Sequence, residues 1–284
     1  MRNRFLIACL LFLGAAVAQA QPAVRAVLTS ADAPLRLIRG AAVYKAANGA
    51  ALQKDDILES GAGGAQVELG PGAIVALGPQ TRVLLASLPA DGRGTLELAL
   101  LQGWLKVLDQ DGQAAVVTPA LQVAFSKGST IVRAGSEAGQ DLVFAEDGEQ
   151  QLTRLDKFEA KGKTLKLAAE QYAALEPDKP VTPGRPPRAF VAALPPGFRD
   201  RLARAPDVPK PGKVVPAKER DVDFADVEAW LRAGLPVRHT FVARFRPRLA
   251  DPTFRKALDG ALGQSADWKP VLHPVRPHHQ ETPS

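Results

Sequence analysis

The amino-acid sequence predicts a mainly β fold: a twisted β-sandwich or β-helix-like domain, then a proline-rich linker and a small α-helical C-terminal region. Three observations carry this. Apolar residues alternate with a period of two across residues 24–175, glycine-containing turn pairs separate the runs, and a helical period emerges only beyond Asp221.

The chain opens on an export signal. Arg2 and Arg4 form a basic start, residues 5–17 are an apolar stretch of 13, and Ala18-Gln19-Ala20 is a small-x-small pattern. Residues 1–20 therefore read as a signal peptide cleaved before Gln21, with a periplasmic protein as the product. The apolar stretch is shorter than the roughly 20 residues a spanning helix needs, and no later stretch is long enough either. Cys9 lies inside the apolar stretch with almost nothing ahead of it, which argues against lipidation there. It is also the only cysteine, so the exported part is expected to have no disulfide and no thiol chemistry.

Residues 21–176 form the predicted β domain. Its alternating runs include Val67-x-Leu69, Val75-x-Leu77, Leu96-x-Leu98-x-Leu100, Leu105-x-Val107, Leu121-x-Val123-x-Phe125 and Leu165-x-Leu167. A period of two places such side chains on one face of a sheet. Asn48-Gly49, Gly63-Gly64, Pro71-Gly72, Asp91-Gly92, Asp111-Gly112 and Asp147-Gly148 mark turns between them. Short strands at this spacing build a sandwich, a barrel or a β-helix-like coil, and without an exact repeat period a regular solenoid is not demonstrated. Aromatic residues are only 6% of the chain, so Leu, Val, Ala and Ile must fill the core.

Eleven of the 24 prolines fall within residues 177–216. Proline fixes φ and lacks an amide donor, so residues 177–220 read as an extended basic linker, with Phe190, Val191 and Leu194 as local docking points. Residues 221–264 read as about three short helices. Phe224, Val227 and Leu231 follow the N-cap candidates Asp221 and Asp223. Val237, Phe241 and Phe245 follow Pro236, with Pro247 ending or kinking that helix. Asp251-Pro252 then leads into Phe254, Leu258 and Leu262. This set is too small to bury a core alone, so it is expected to pack on the β domain or on a partner. Residues 265–284 read as an irregular tail.

Charge follows the same division. Residues 21–180 carry 16 Lys/Arg against 19 Asp/Glu, whereas residues 181–284 carry 18 against 11. An exported basic region suits lipid phosphates, anionic glycans or an acidic protein face, and nucleic acid is not an expected partner.

The β region, over about residues 34–175, resembles the FecR family of periplasmic domains. Asp55-Asp56-Ile57-Leu58-Glu59-Ser60-Gly61 is similar to the family's Gly-Asp-x-Ile-x-Thr-Gly. Val67-Glu68-Leu69-Gly70-Pro71-Gly72-Ala73 resembles its apolar strand and turn, and Leu77-Gly78-Pro79-Gln80-Thr81-Arg82-Val83 the strand and turn after it. Leu101-Gln102-Gly103-Trp104-Leu105 resembles its leucine-x-glycine step. Thr118-Pro119, Gly128-Ser129-Thr130, Glu146-Asp147-Gly148 and Ala168-Ala169-Glu170-Gln171 stand in the order of the family's later motifs. Two departures are Asp55 and Glu170, each in place of a usual glycine. The best-known members relay a signal from an outer-membrane receptor, through a membrane helix, to a cytoplasmic anti-sigma segment. For this chain the resemblance implies the β module and an envelope location, and not the anti-sigma activity.

Catalytic groups are scarce. The four histidines, His239, His273, His278 and His279, all lie outside the β domain, so no Ser-His-Asp site or histidine metal centre is expected within it. Carboxylate pairs remain: Asp55-Asp56, Asp109 with Asp111, and Glu146-Asp147. All adjoin turn glycines or strand ends, where Asp is favoured for turn reasons. The basic cluster Arg238, Arg244, Arg246 and Arg248, with Phe241 and Phe245, is the candidate partner-binding site, because guanidinium groups grip carboxylate or phosphate bidentately. The competing reading makes the phenylalanines core and the arginines solvated; Trp104, Trp230 and Trp268 are likewise read as anchors. The expectation is a non-enzymatic envelope module for binding, signal relay or assembly, without cofactor or metal, that recognises a protein partner. A cell-wall or anionic glycan-binding module is the alternative, and a carboxylate-based glycan hydrolase or lyase stands third.

Overall fold

The structure is a computed structural model that describes residues 26–70, 72–89, 94–135, 140–156, 159–176, 179–206 and 214–274. The export signal and His278-His279 lie outside the described residues.

The strands are β1 (Ala26–Ala31), β2 (Leu35–Arg39), β3 (Ala42–Ala46), β4 (Ala51–Leu52), β5 (Ile57–Glu59), β6 (Ala65–Leu69), β7 (Ala73–Leu77), β8 (Arg82–Ser87), β9 (Leu96–Asp109) and β10 (Ala114–Val117). They continue as β11 (Leu121–Phe125), β12 (Gly128–Ala134), β13 (Asp141–Ala145), β14 (Gln150–Asp156), β15 (Glu159–Leu167), β16 (Gln171–Leu175) and β17 (Ala217–Asp221). The helices are α1 (Arg188–Ala193), α2 (Phe224–Arg232), α3 (Thr240–Phe245), α4 (Pro252–Leu262) and α5 (Lys269–Leu272).

Two curled layers result. Sheet I runs β4-β1-β6-β7-β9-β12-β13-β16. Sheet II runs β17-β3-β2-β5-β8-β9-β10-β11-β14-β15. Neighbours are antiparallel, except that β10 runs parallel to the start of β9. The long strand β9 belongs to both sheets. Its first half pairs with β8 and β10, and its second half, from Gly103, pairs with β7 and β12. Gly103 makes this switch at φ +91°, and a Cβ there would lie 2.5 Å from the Thr81 Cα and Oγ1. No other residue type fits that bend. Because β9 doubles back, Asp109 at its end returns close to Leu96 at its start. The Asp109 carboxylate then fixes the crossing to sheet II by accepting the amides of Asp111, Gly112, Gln113 and Ala114 at 2.7–3.1 Å.

The alternation now has a physical address. Leu37, Leu58, Val83, Leu85, Leu98, Leu100, Val116 and Val123 of sheet II face Leu28, Val67, Val75, Leu77, Leu105, Val107, Val132 and Val143 of sheet I in one core. Both sheets are also covered outside. The intervening residues Ile38, Val43, Ile57, Leu84 and Ala99 turn outward from sheet II and bury Val227, Trp230, Phe241, Phe245, Phe254 and Leu258 of the C-terminal helices. Ala76, Ile131 and Leu142, outward on sheet I, meet Phe190 and Phe198.

The caps form where the sequence places them. The amide of Asp223 donates to Asp226 at 2.8 Å ahead of α2, and Asp251 accepts the amide of Thr253 at 2.9 Å ahead of α4. After α3 a 3-10 stretch begins at Arg246, because Pro247 cannot continue the α-helical bonding. Two expectations are corrected. The segment 177–220 is not a free linker: α1 and the turn Pro196–Phe198 pack on sheet I, and β17 extends sheet II beside β3. Proline prevents regular bonding here without preventing burial of the two phenylalanines. Residues 265–274, expected to be irregular, carry α5, with Trp268 just ahead of it and Leu272 within it buried under the helices.

Candidate interaction surfaces

The arginine cluster predicted on the helical side is taken apart by the structure. Arg244 on α3 reaches back to the β domain and donates to three main-chain carbonyls, of Gly40 at 2.8 Å, Asp55 at 2.7 Å and Ile38 at 2.8 Å. Burial pushes its pKa down to about 10, so it stays charged at neutral pH. Arg248 donates to the Val222 carbonyl and to Asp251, both at 2.7 Å, and lies 5.6 Å from the Phe254 ring centre. Arg238 pairs with Asp267 at 3.1 Å. Phe241 is 1% exposed and belongs to the core between sheet II and the helices. Of the four arginines only Arg246 is exposed. The cluster is therefore mainly a set of internal staples, and Phe241 offers nothing to a partner. A guanidinium with a five-donor fork is as good a cap for loose carbonyls as it is a grip on an anion.

One member of each carboxylate pair is likewise occupied, and the other, Asp55, Asp111 or Asp147, is exposed. Asp56 is 0% exposed and takes a two-pronged bond from Arg39 at 2.8 and 2.6 Å, together with the Gln53 amide at 2.8 Å. Burial pushes this carboxyl above its usual range, even against the pull of Arg39. Asp109 is spent on four amides. Glu146 is paired with Lys106 at 2.8 Å. The described histidines serve local contacts: His239 with the Pro236 carbonyl and His273 with Asp259, both at 2.8 Å.

Lys106 leads to the surface that sequence reasoning missed. It is 0% exposed, on the outer face of sheet I, and besides Glu146 it donates to the carbonyls of Phe198 at 2.9 Å and Asp200 at 2.8 Å. Those carbonyls belong to residues 184–205, which cross sheet I as a strap. Gly184 exchanges two main-chain bonds with Tyr172 of β16, at 2.8 and 2.9 Å. Phe190 then stacks among Trp104, Phe144 and Tyr172 with ring centres 4.9–5.8 Å apart. Pro195 lies over Gly78, where a Cβ would meet Trp104 at 2.8 Å and Pro195 at 3.0 Å. Finally the Ala203 carbonyl accepts from Gln66 at 2.9 Å, and Glu68 accepts from Arg204 at 2.8 Å and from the Ala205 amide at 2.9 Å. The strap thus traverses β16, β13, β12, β9, β7 and β6, and a cleft of about 390 Å³ remains between its Pro195–Phe198 turn and the Gly63-Gly64 loop. The sequence signals for this arrangement were the docking residues Phe190 and Leu194, which pack on sheet I as expected while Val191 is exposed, and a lone lysine on a strand.

No protein-family model matches the chain, and no curated protein matches it. Among solved structures it is similar to two crystal structures of a candidate anti-sigma factor from Parabacteroides distasonis ATCC 8503, at 15% and 16% identity with TM-scores of 0.39 and 0.40. Each match covers 48% of this chain and 63% or 62% of the other, so the chain spans less than two thirds of those proteins. A likeness this distant carries no argument about activity or partner.

Proposed function

We propose that the chain is a non-enzymatic recognition module of the cell envelope, FecR-like in its β domain, which reaches the periplasm through its N-terminal signal and binds a protein partner there. The observation that carries this reading is the fate of its acidic groups. Asp56 is held by Arg39, Asp109 by four backbone amides and Glu146 by Lys106. Acid/base work on a glycan needs a pair of carboxyls facing a substrate, and in each of these pairs one member is spent on the fold while Asp55, Asp111 and Asp147 are exposed. The ordered series of FecR-like motifs along the β region supports the same reading.

Both outer faces of the sandwich are covered, so a partner meets the strap, the exposed sides of the helices or the free edges β15 and β17. Photo-crosslinking residues placed at Val191, Lys166 and Arg246, one on each kind of surface, test this in intact envelopes. The expected result is a protein adduct of defined mass from one position and not from the others. Absence of any protein adduct from all three overturns the partner reading. Release of fragments from cell-wall glycan by the purified protein, abolished by Asp56→Asn, overturns the non-enzymatic one.

A further inference from the structure

The strap has an outward side as well as an anchored one. Residues 181–206 carry five arginines against a single acid, Asp200. Arg204 is engaged with Glu68. Arg185, Arg188, Arg199 and Arg201 are exposed, and none of their guanidinium groups has a hydrogen bond or ion pair among the described residues. The strap is fixed to sheet I close to each of them, and Arg201 also borders a cleft lined by Glu146 and Asp147. Arg185 follows Gly184, which is bonded to Tyr172. Arg188 opens α1, whose Phe190 is caged by three rings. Arg199 and Arg201 flank Asp200, whose carbonyl is held by the buried Lys106. The anchoring makes this a cationic display on ordered backbone rather than a loose tail.

What lies between the arginines narrows the partner. Ala189, Val191, Ala192, Ala193, Pro196 and Gly197 are all exposed, and Val191 is a large apolar side chain 48% open to solvent. Guanidinium groups interleaved with small exposed apolar residues suit the boundary of a bilayer, where phosphates meet the first methylenes. We infer that the outer side of this strap is a docking face for the phosphate headgroups of an anionic bilayer. The inference is independent of the protein partner proposed above.

Each basic residue near an anionic membrane surface strengthens attachment about fivefold, so four together give on the order of several hundred-fold. Vesicle sedimentation of the purified protein tests this, using phosphatidylcholine alone and phosphatidylcholine with about one third phosphatidylglycerol. The protein is expected to sediment with the anionic vesicles and not the neutral ones, and to be released by high salt. Replacing all four arginines (Arg185→Gln, Arg188→Gln, Arg199→Gln, Arg201→Gln) removes the several hundred-fold gain. Arg246→Gln, on the helical side of the sandwich, leaves retention unchanged. Val191→Ser weakens retention a few-fold at constant charge. The four guanidiniums have no partner among the described residues, so an unchanged thermal midpoint is expected to accompany the loss. The inference fails if the wild type ignores anionic vesicles or if the fourfold variant sediments equally well. It also fails if inorganic phosphate, a soluble anionic glycan or an acidic protein competes the chain off at comparable charge concentration, since the face would then read charge without a bilayer.

Discussion

Arg244 and Arg246 are two positions apart and differ completely in what they do. The Arg244 guanidinium closes three main-chain carbonyls, and its truncation leaves those acceptors without partners next to the core. Arg244→Ala is therefore expected to cost about 2–4 kcal/mol of stability, and Arg244→Lys to recover little of it, because an ammonium lacks the planar fork. Arg246→Ala should stay within about 0.5 kcal/mol of the wild type. Denaturant unfolding of the three variants checks this. Asp141 offers a pH-dependent counterpart. It is buried and accepts a bond from Thr118, and burial raises its carboxyl pKa against that bond. With the folded value above the unfolded one, the folded state holds more protons. Its contribution thus becomes less favourable as pH rises from the unfolded value through the raised one. Asp141→Asn is expected to match or exceed wild-type stability at pH 7, by up to about 1 kcal/mol, with the difference shrinking toward pH 4. Thermal melts across that range show the sign. At the same scale, the non-glycine residues Asp55 and Glu170 both adopt left-handed backbone at φ +68° and +63°. Both turns take the geometry that favours glycine without carrying one.

At the scale of elements, β9 and the strap organise everything around them. β9 ties the two sheets into one sandwich, and Lys106 on its second half ties the strap to that sandwich. A buried ammonium with three acceptors is tolerable only while all of them stay in place. Lys106→Met removes the grip on Phe198 and Asp200, and Phe190→Ala empties the aromatic cage. Either change is expected to speed protease cleavage within residues 184–205 by at least about tenfold, while the main unfolding transition moves much less. Limited proteolysis with mass mapping reads this directly. A strap that remains protected in both variants would show that its Gly184 and Glu68 contacts suffice.

For the whole molecule, the decisive feature is that the sandwich is apolar on three levels: its interior and both of its outer faces. A chain ended at Leu175 loses the strap, β17 and every C-terminal helix. That exposes Ile38, Val43, Ile57 and Leu84 on one side, and Ile131, Leu142 and the ring cluster of Trp104, Phe144 and Tyr172 on the other. Such a truncation is expected to self-associate and to bind a hydrophobic dye, whereas a chain ended at Pro274 should behave like the full protein. Size-exclusion chromatography and dye fluorescence distinguish the two. The β domain and the C-terminal third thus form one folding unit despite their opposite charge.

Alternation, turn glycines and cap residues were enough by themselves to determine the alternating runs of the β domain, the interior face of each and the starts of α2 and α4, because these depend on residues within a few positions of one another. Tertiary structure alone decided the rest. Whether an arginine meets water or a carbonyl about 200 residues away, as Arg244 meets Gly40 and Ile38, leaves no local trace. The bend of β9 rests on the fit of Gly103 against Thr81, and the strap on Lys106 finding carbonyls more than 90 residues further along the chain. A proline-rich stretch looks the same in sequence whether or not a sheet lies beneath it. Only the folded arrangement fixes which of its side chains are buried and which arginines are left to face outward.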